Sequence, residues 1–149
     1  MDAVIVDMDG TAADVRTIRH HVTGAVHNFH KFYEESVNCP PNIEVIDAVK
    51  KAQSNGLKVL IVTARQDRYM YHTLFWLSGP EVDLSFDDIY MRKTNDNRPD
   101  HVVKREILER IYKDGYNPVH AWDDRPDIAA IWEEAGIPTT LVAGIGFED

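Results

Sequence analysis

Short apolar runs rich in branched side chains recur along this chain. Ala3-Val4-Ile5-Val6 is continuously apolar, as is Val59-Leu60-Ile61-Val62 at the centre of the stretch from Leu57 to Thr63; Val119 to Trp122 and Thr139 to Val142 add runs that include His120 and Thr139-Thr140, and Asp88-Ile89-Tyr90-Met91 is a weaker run. Runs of this length without polar alternation suit strands buried on both faces. Between them, apolar residues fall at helical spacing: Ile18, Val22, Val26, Phe29 and Phe32 up to the stop at Cys39-Pro40-Pro41-Asn42; Ile43, Ile46 and Val49 up to Asn55-Gly56; Asp67 to Leu77 before Ser78-Gly79-Pro80; His101 to Tyr112 before Gly115; and Ile128 to Ala135. Five strands alternating with helices predict an α/β fold, a doubly wound parallel sheet with helices on both faces and ligands at the carboxyl ends of its strands. A length of 149 residues fits one domain spanning 1–149.

The 16 basic and 25 acidic side chains leave a net charge of −9, which argues against coating nucleic acid or anionic membrane by bulk attraction. A single cysteine, Cys39, allows no internal disulfide and no cysteine-based zinc site, which points to a reducing compartment. The apolar runs are far too short to cross a bilayer, and the expected location is the cytoplasm.

Polar residues with chemical potential fall at the ends of these strands: Asp7 and Asp9 after the first, Thr63 after the second, Asp123 and Asp124 after the fourth, with Lys104 on the later helix. Asp7-Met8-Asp9-Gly10-Thr11 places two carboxylates one residue apart beside a glycine that can bring backbone close to an anion. An EF-hand reading fails, because no third acidic ligand and no terminal Glu follow at the required offsets. Lys104 shares a helix face with Ile107, Leu108 and Ile111, so an inward lysine there needs an anionic partner. Asp100, one turn earlier, is one such partner.

Taken together, these motifs resemble the haloacid dehalogenase-like phosphatases, whose pattern is Asp-x-Asp-Gly-Thr, a Thr or Ser after the second strand, a Lys and a closing acidic pair. The resemblance spans Asp7 to Asp127 and implies a Mg²⁺-dependent phosphomonoesterase with an aspartyl-phosphate intermediate. It implies Asp7 as nucleophile, Asp9 as general acid and then base, Thr63 and Lys104 on the phosphoryl group, and Asp7, Asp124 and the backbone carbonyl of Asp9 as Mg²⁺ ligands, with Asp123 and Asp127 supporting them. The presence of Asp9 favours phosphoryl transfer over halide displacement. A receiver-type phosphoacceptor module carries a similar set, but there the acidic pair comes early and the lysine last.

More narrowly, Thr63-Ala64-Arg65, Tyr90-Met91-Arg92 leading into Asp100-x-x-x-Lys104, and Trp122-Asp123-Asp124-Arg125 are similar to the 3′-phosphatase domain of phage-type polynucleotide kinase-phosphatases. That similarity implies that Arg65 contacts substrate phosphate and that Asp100 orients Lys104. Thr11-Ala12-Ala13 lacks the leucine usual after the first motif, and the absence of any Gly-x-x-x-x-Gly-Lys-Ser/Thr sequence leaves no kinase domain in this chain. A separate kinase or ligase would then supply the partner activities.

The spacing between motifs leaves no room for a large cap, which predicts an open site able to admit a nucleic-acid 3′-phosphate, with a small phosphate ester as the competing substrate. Arg16, Arg19, His20 and His21 on one side, with Arg92, Lys93 and Arg98 on the other, are candidates for a local basic rim. His27 and His30 read as a solvated helix face. Tyr69, Tyr71, Phe75 and Trp76 read as core.

Overall fold

The computed structural model describes residues 1–147; residues 148–149 of the expected single domain lie outside the described residues. Five strands, β1 (Asp2–Val6), β2 (Lys58–Gln66), β3 (Asp88–Arg92), β4 (Asn117–Asp123) and β5 (Thr139–Leu141), form one sheet in the order β3-β2-β1-β4-β5. All neighbouring pairs are parallel. The chain winds outward from β1 through β2 to β3, then crosses to β4 on the other side. The strand order therefore reverses at β1, and a crevice opens at its carboxyl end.

Side chains alternate across the strands and build a core on each face. Val4, Val6, Val59 and Ile61 pack with Phe32 of α2 (Phe29–Ser36), Val45, Ile46 and Val49 of α3 (Ile43–Ser54), and Leu77 of α4 (Met70–Ser78). Ala3, Ile5, Leu60, Val62 and Ala121 pack instead with Val103, Ile107 and Ile111 of α5 (Asp100–Lys113) and Ile128, Ile131 and Trp132 of α6 (Pro126–Glu134). Burial on both faces is what removed polar alternation from the central strands β1 and β2, whereas β5, at the sheet edge, is partly exposed.

Two expectations need revision. The helical period from Ile18 to Phe32 is not one helix: α1 (His20–Thr23) ends at an extended Gly24, and α2 begins anew after Asn28, whose side chain accepts a hydrogen bond from the Lys31 N–H. Val26, in the intervening loop, is 83% exposed. The aromatic stripe divides as well. Tyr69, in a 3-10 turn at Asp67–Tyr69, and Trp76 are buried, whereas Tyr71 and Phe75 lie one helical turn apart and exposed. Among the described residues no helix is long and apolar enough to cross a membrane.

Candidate active site

The sequence-predicted residues meet at the carboxyl edge of the sheet. Asp7 leaves β1, Thr63 lies within β2 and Asp123 closes β4, while α5 lays Lys104 beneath them. Asp7, Asp9, Thr63, Lys104 and Asp124 line one cavity of about 490 Å³. Lys104, 3% exposed, donates to Asp7 Oδ1 at 3.1 Å and to Asp123 Oδ2 at 2.9 Å. Thr11 is fully buried, and its Oγ1 lies 3.0 Å from Asp7 Oδ2 and 3.1 Å from Asp124 Oδ1. Asp123 Oδ1 accepts from the Arg125 N–H, which fixes the carboxylate against Lys104.

The turn after β1 makes this convergence sterically feasible. Gly10 has φ +83°, and a Cβ there would come within 2.6 Å of Asp124 Oδ2 and 2.7 Å of Gly146 Cα. Only glycine allows that backbone conformation and that approach together.

The floor is electrostatically loaded. Burial pushes the Asp7 carboxyl well above the usual range, and the negative charge of Asp123 adds to the shift, outweighing the attraction of Lys104. Asp124 is also raised, again chiefly by burial. For Lys104 burial acts downward, but the nearby charges of Asp123 and Asp7 dominate and raise its pKa, so the ammonium stays protonated. Asp7, Asp123 and Asp124 offer ligand oxygens within 4.8 Å of one another. Three carboxylates facing one ammonium, with only oxygen donors, match a hard divalent cation such as Mg²⁺.

Arg65 and Asp100 enter the site with partners other than those expected. The Arg65 side chain is fully buried and clamps Asp9, with Nη2 2.6 Å from Oδ1 and Nε 2.9 Å from Oδ2; its Nη1 donates to Thr73 Oγ1 at 3.1 Å. Its donors thus point at Asp9 and Thr73. The ring of Tyr33 lies 5.3 Å from the guanidinium carbon. Asp100 pairs with Arg92 Nη2 and, at 2.7 Å, with Arg125 Nη1, whereas the hydrogen bonds of Lys104 go to Asp7 and Asp123.

Most arginines of the candidate basic rim are engaged by local carboxylates or carbonyls. Arg16 pairs with Asp14, Arg19 donates to the Gly146 carbonyl, and Arg98 sits between Asp96 and Glu106. Arg92 is buried and serves as a strut, donating to the carbonyls of Ala64, Asp96 and Arg98. Asp127 pairs with Arg125 on the surface. His27 and His30 are exposed, and His30 Nε2 lies 2.5 Å from Glu34. Sequence reasoning missed the bridging position of Thr11 and the presence of Val22, Phe29, Arg68 and Phe147 in the cavity wall. The buried Thr11 follows the acidic motif directly, so its place in the Asp-x-Asp-Gly-Thr pattern was the available signal.

This combination of fold and site coincides with a family match along the chain: residues 1–147 match the model of the polynucleotide kinase PNKP phosphatase domain. The chain belongs to that family of haloacid dehalogenase-like phosphatases. A chain in the structure of the Pnkp1/Rnl/Hen1 RNA repair complex superposes with a TM-score of 0.80 at 25% identity, covering 95% of this chain and 42% of that one. A second Pnkp1/Rnl/Hen1 complex gives 0.76 at 26% identity, covering 95% of this chain and 45% of that one. A protein of Autographa californica nuclear polyhedrosis virus, named provisionally as a bifunctional polynucleotide kinase/RNA ligase, is 25% identical over 140 residues, or 93% of this chain and 19% of that protein. The chain therefore spans less than half the length of these relatives. The class C acid phosphatase of Bacillus anthracis with tungstate bound shares the fold, with a TM-score of 0.63 at 14% identity, over 94% of this chain and 65% of that one.

Proposed function

We propose that this chain is a Mg²⁺-dependent phosphomonoesterase that acts through an aspartyl-phosphate at Asp7 and removes the 3′-phosphate from polynucleotide ends. The observation that carries the reading is Asp7 itself, a carboxylate 7% exposed on the wall of an open cavity, bonded to Lys104 and grouped with Asp123 and Asp124. Asp7, Asp124 and the backbone carbonyl of Asp9 would hold Mg²⁺, and the ion would offset negative charge on the phosphoryl oxygens as the nucleophile approaches.

The protein's own residues supply the remaining steps. An Asp7 carboxylate oxygen attacks phosphorus, the bond from phosphorus to the departing 3′-oxygen breaks, and Asp9 gives that oxygen a proton. Asp9 then takes a proton from water as the water oxygen attacks the phosphoaspartate, releasing inorganic phosphate and restoring Asp7. Thr63 Oγ1 already accepts the Arg65 N–H at 3.1 Å, so its own hydroxyl hydrogen is available to a phosphoryl oxygen. Lys104, held by Asp123, stabilises charge that builds in the transition state. Arg65 acts through Asp9, whose two oxygens it grips; presenting either oxygen to the leaving group requires that grip to loosen. Asp100 acts on the rim by tying Arg92 to Arg125.

Family membership and the open cavity support a polynucleotide end as substrate, with residues 1–149 acting as one phosphatase domain beside a separate kinase or ligase. The cavity volume is equally suited to a nucleotide or another small phosphate ester, which is the second reading. Phosphate release with Mg²⁺ from a 3′-phosphorylated oligonucleotide, its 5′-phosphorylated counterpart, nucleoside monophosphates and an alkyl phosphate separates the two. Preference for the 3′-end by orders of magnitude is expected. Equal or better turnover of the small esters overturns the polynucleotide assignment, and activity undiminished by exhaustive EDTA treatment overturns the metal assignment.

A further inference from the structure

The cavity has two chemically distinct walls. Its floor holds the carboxylates and Lys104, whereas the side formed by α1 and α2 is apolar and contributes Val22, Phe29 and Tyr33. Within α2, Phe32 and Tyr33 are buried, as expected for the inner face of a helix, but Phe29 is 48% exposed. An aromatic ring left half in water at the mouth of a charged cavity gives up burial that its neighbours obtain.

Phe29 is nevertheless held in place. It opens α2 immediately after the Asn28 cap, and the Asn28 N–H donates to the His21 carbonyl at 2.7 Å, tying the start of α2 back to α1. The His21 ring, 2.6 Å from Glu35 Oε2, fastens the two helices a second time. The Phe29 ring lies nearly parallel to Tyr33, with centroids 6.3 Å apart at 26°, and meets the edge of His27 at 5.7 Å. Tyr33 in turn lies against the guanidinium of Arg65, which holds Asp9. A continuous stack thus runs from the cavity mouth to the carboxylate assigned to protonate the leaving oxygen.

We infer that Phe29 is a stacking platform for the terminal nucleobase, so that the site takes a 3′-phosphorylated nucleoside end, holding the phosphate at the floor and the base against this ring. The inference rests on the polynucleotide reading above. The departing 3′-oxygen belongs to a sugar that carries its base beside the reacting phosphate, and the aromatic side of the cavity wall offers that base a flat apolar surface. Stacking on a ring face requires no particular base, so the platform selects for the presence of a base rather than its identity. A rigid, preformed ring also loses little conformational entropy on binding.

The test compares two oligonucleotides that end in a 3′-phosphate, one with a normal terminal nucleotide and one with a tetrahydrofuran abasic terminal unit. For the unsubstituted protein, kcat/KM should fall about tenfold on the abasic end, the lower range for base–aromatic stacking. In Phe29→Ala and Phe29→Leu that ratio should fall to about one, while Phe29→Trp should preserve it, as expected of a ring surface. Leucine maintains apolar packing if the alanine variant fails to fold. A ratio near one in the unsubstituted protein, or an undiminished ratio in Phe29→Leu, overturns the platform. Turnover of small esters with no turnover of either oligonucleotide overturns the polynucleotide reading instead, so the two failures are distinguishable.

Discussion

Lys104 and Arg98 are each held between two carboxylates, Lys104 by Asp7 and Asp123 at the floor of the cavity and Arg98 by Asp96 and Glu106 at its rim. The lysine side chain is 3% exposed and the arginine 47%. Water screens the rim pairs, and their contribution to stability is correspondingly slight. At the floor the same arrangement concentrates desolvated charge: Asp7 and Asp124 are pushed up by burial, and the Lys104 ammonium bonds two of the three clustered carboxylates. Such a cluster is poor evidence for stability and better evidence for chemistry.

The sharpest way to break this contrast is Asp7→Asn. As the proposed nucleophile, Asp7 should be indispensable, and turnover is expected to drop by about 10⁴-fold or more. Because burial raises the Asp7 carboxyl, folding opposes its charge, and the asparagine variant leaves the Lys104–Asp123 pair intact. The metal-free variant should therefore melt at the same temperature as the parent or higher. The sign follows from proton uptake: the folded parent binds a proton that the unfolded chain has already released, so its stability falls as pH rises from the ordinary carboxylate range toward the elevated Asp7 value. The advantage of Asp7→Asn should widen over that interval. Retained turnover removes the nucleophile assignment, and a large fall in melting temperature removes the electrostatic argument.

Lys104→Met comes next and separates the two roles of the floor. Activity should fall about 10²–10³-fold through the lost transition-state charge. Stability should also fall, by roughly 3–5 kcal/mol for an orphaned buried charge and less if Asp7 takes up a proton. Thermal melts beside initial rates provide the check. A fully active variant would leave Lys104 as a structural counter-ion only.

Arg65→Lys distinguishes a residue that acts through Asp9 from one that touches substrate. Lysine keeps the charge and loses the two-pronged grip on Asp9. Misplacing an acid of this kind should lower kcat roughly tenfold to a hundredfold, with KM nearly unchanged. A rise in KM at constant kcat would instead mark Arg65 as a phosphate contact.

Legibility in the sequence followed the range of the physics. Burial on both sheet faces is recorded in every residue of Val59-Leu60-Ile61-Val62, so the strands and the parallel, doubly wound class could be read directly, whereas the strand order came from the structure. Asp7, Thr63 and Asp123 were readable as neighbours because a parallel sheet brings strand ends to one edge. Partner choice was not readable. Arg65 and Asp9 are 56 residues apart, and Asp100 had Lys104 one helical turn away yet pairs with Arg92 and Arg125. Local spacing names the candidates for an ion pair; three-dimensional packing selects among them. The break between α1 and α2 was masked for a related reason, since the apolar period runs on across Gly24 and Asn28 while the Asn28 side chain starts a new helix.

The smallest effect belongs to the rim and tests the contrast from its other side. Arg98→Gln removes the cation between Asp96 and Glu106 and leaves two carboxylates near the cavity mouth. Because this cluster is solvated, melting temperature should scarcely move. An incoming phosphate chain should nonetheless meet added repulsion, raising KM for an oligonucleotide a few-fold at low salt and leaving kcat intact. Screening should then erase the difference as ionic strength rises through the range where the Debye length falls from about 10 Å toward 3 Å. A salt-independent loss of kcat would place Arg98 among the chemical groups of the floor, since screened long-range repulsion cannot persist at high ionic strength.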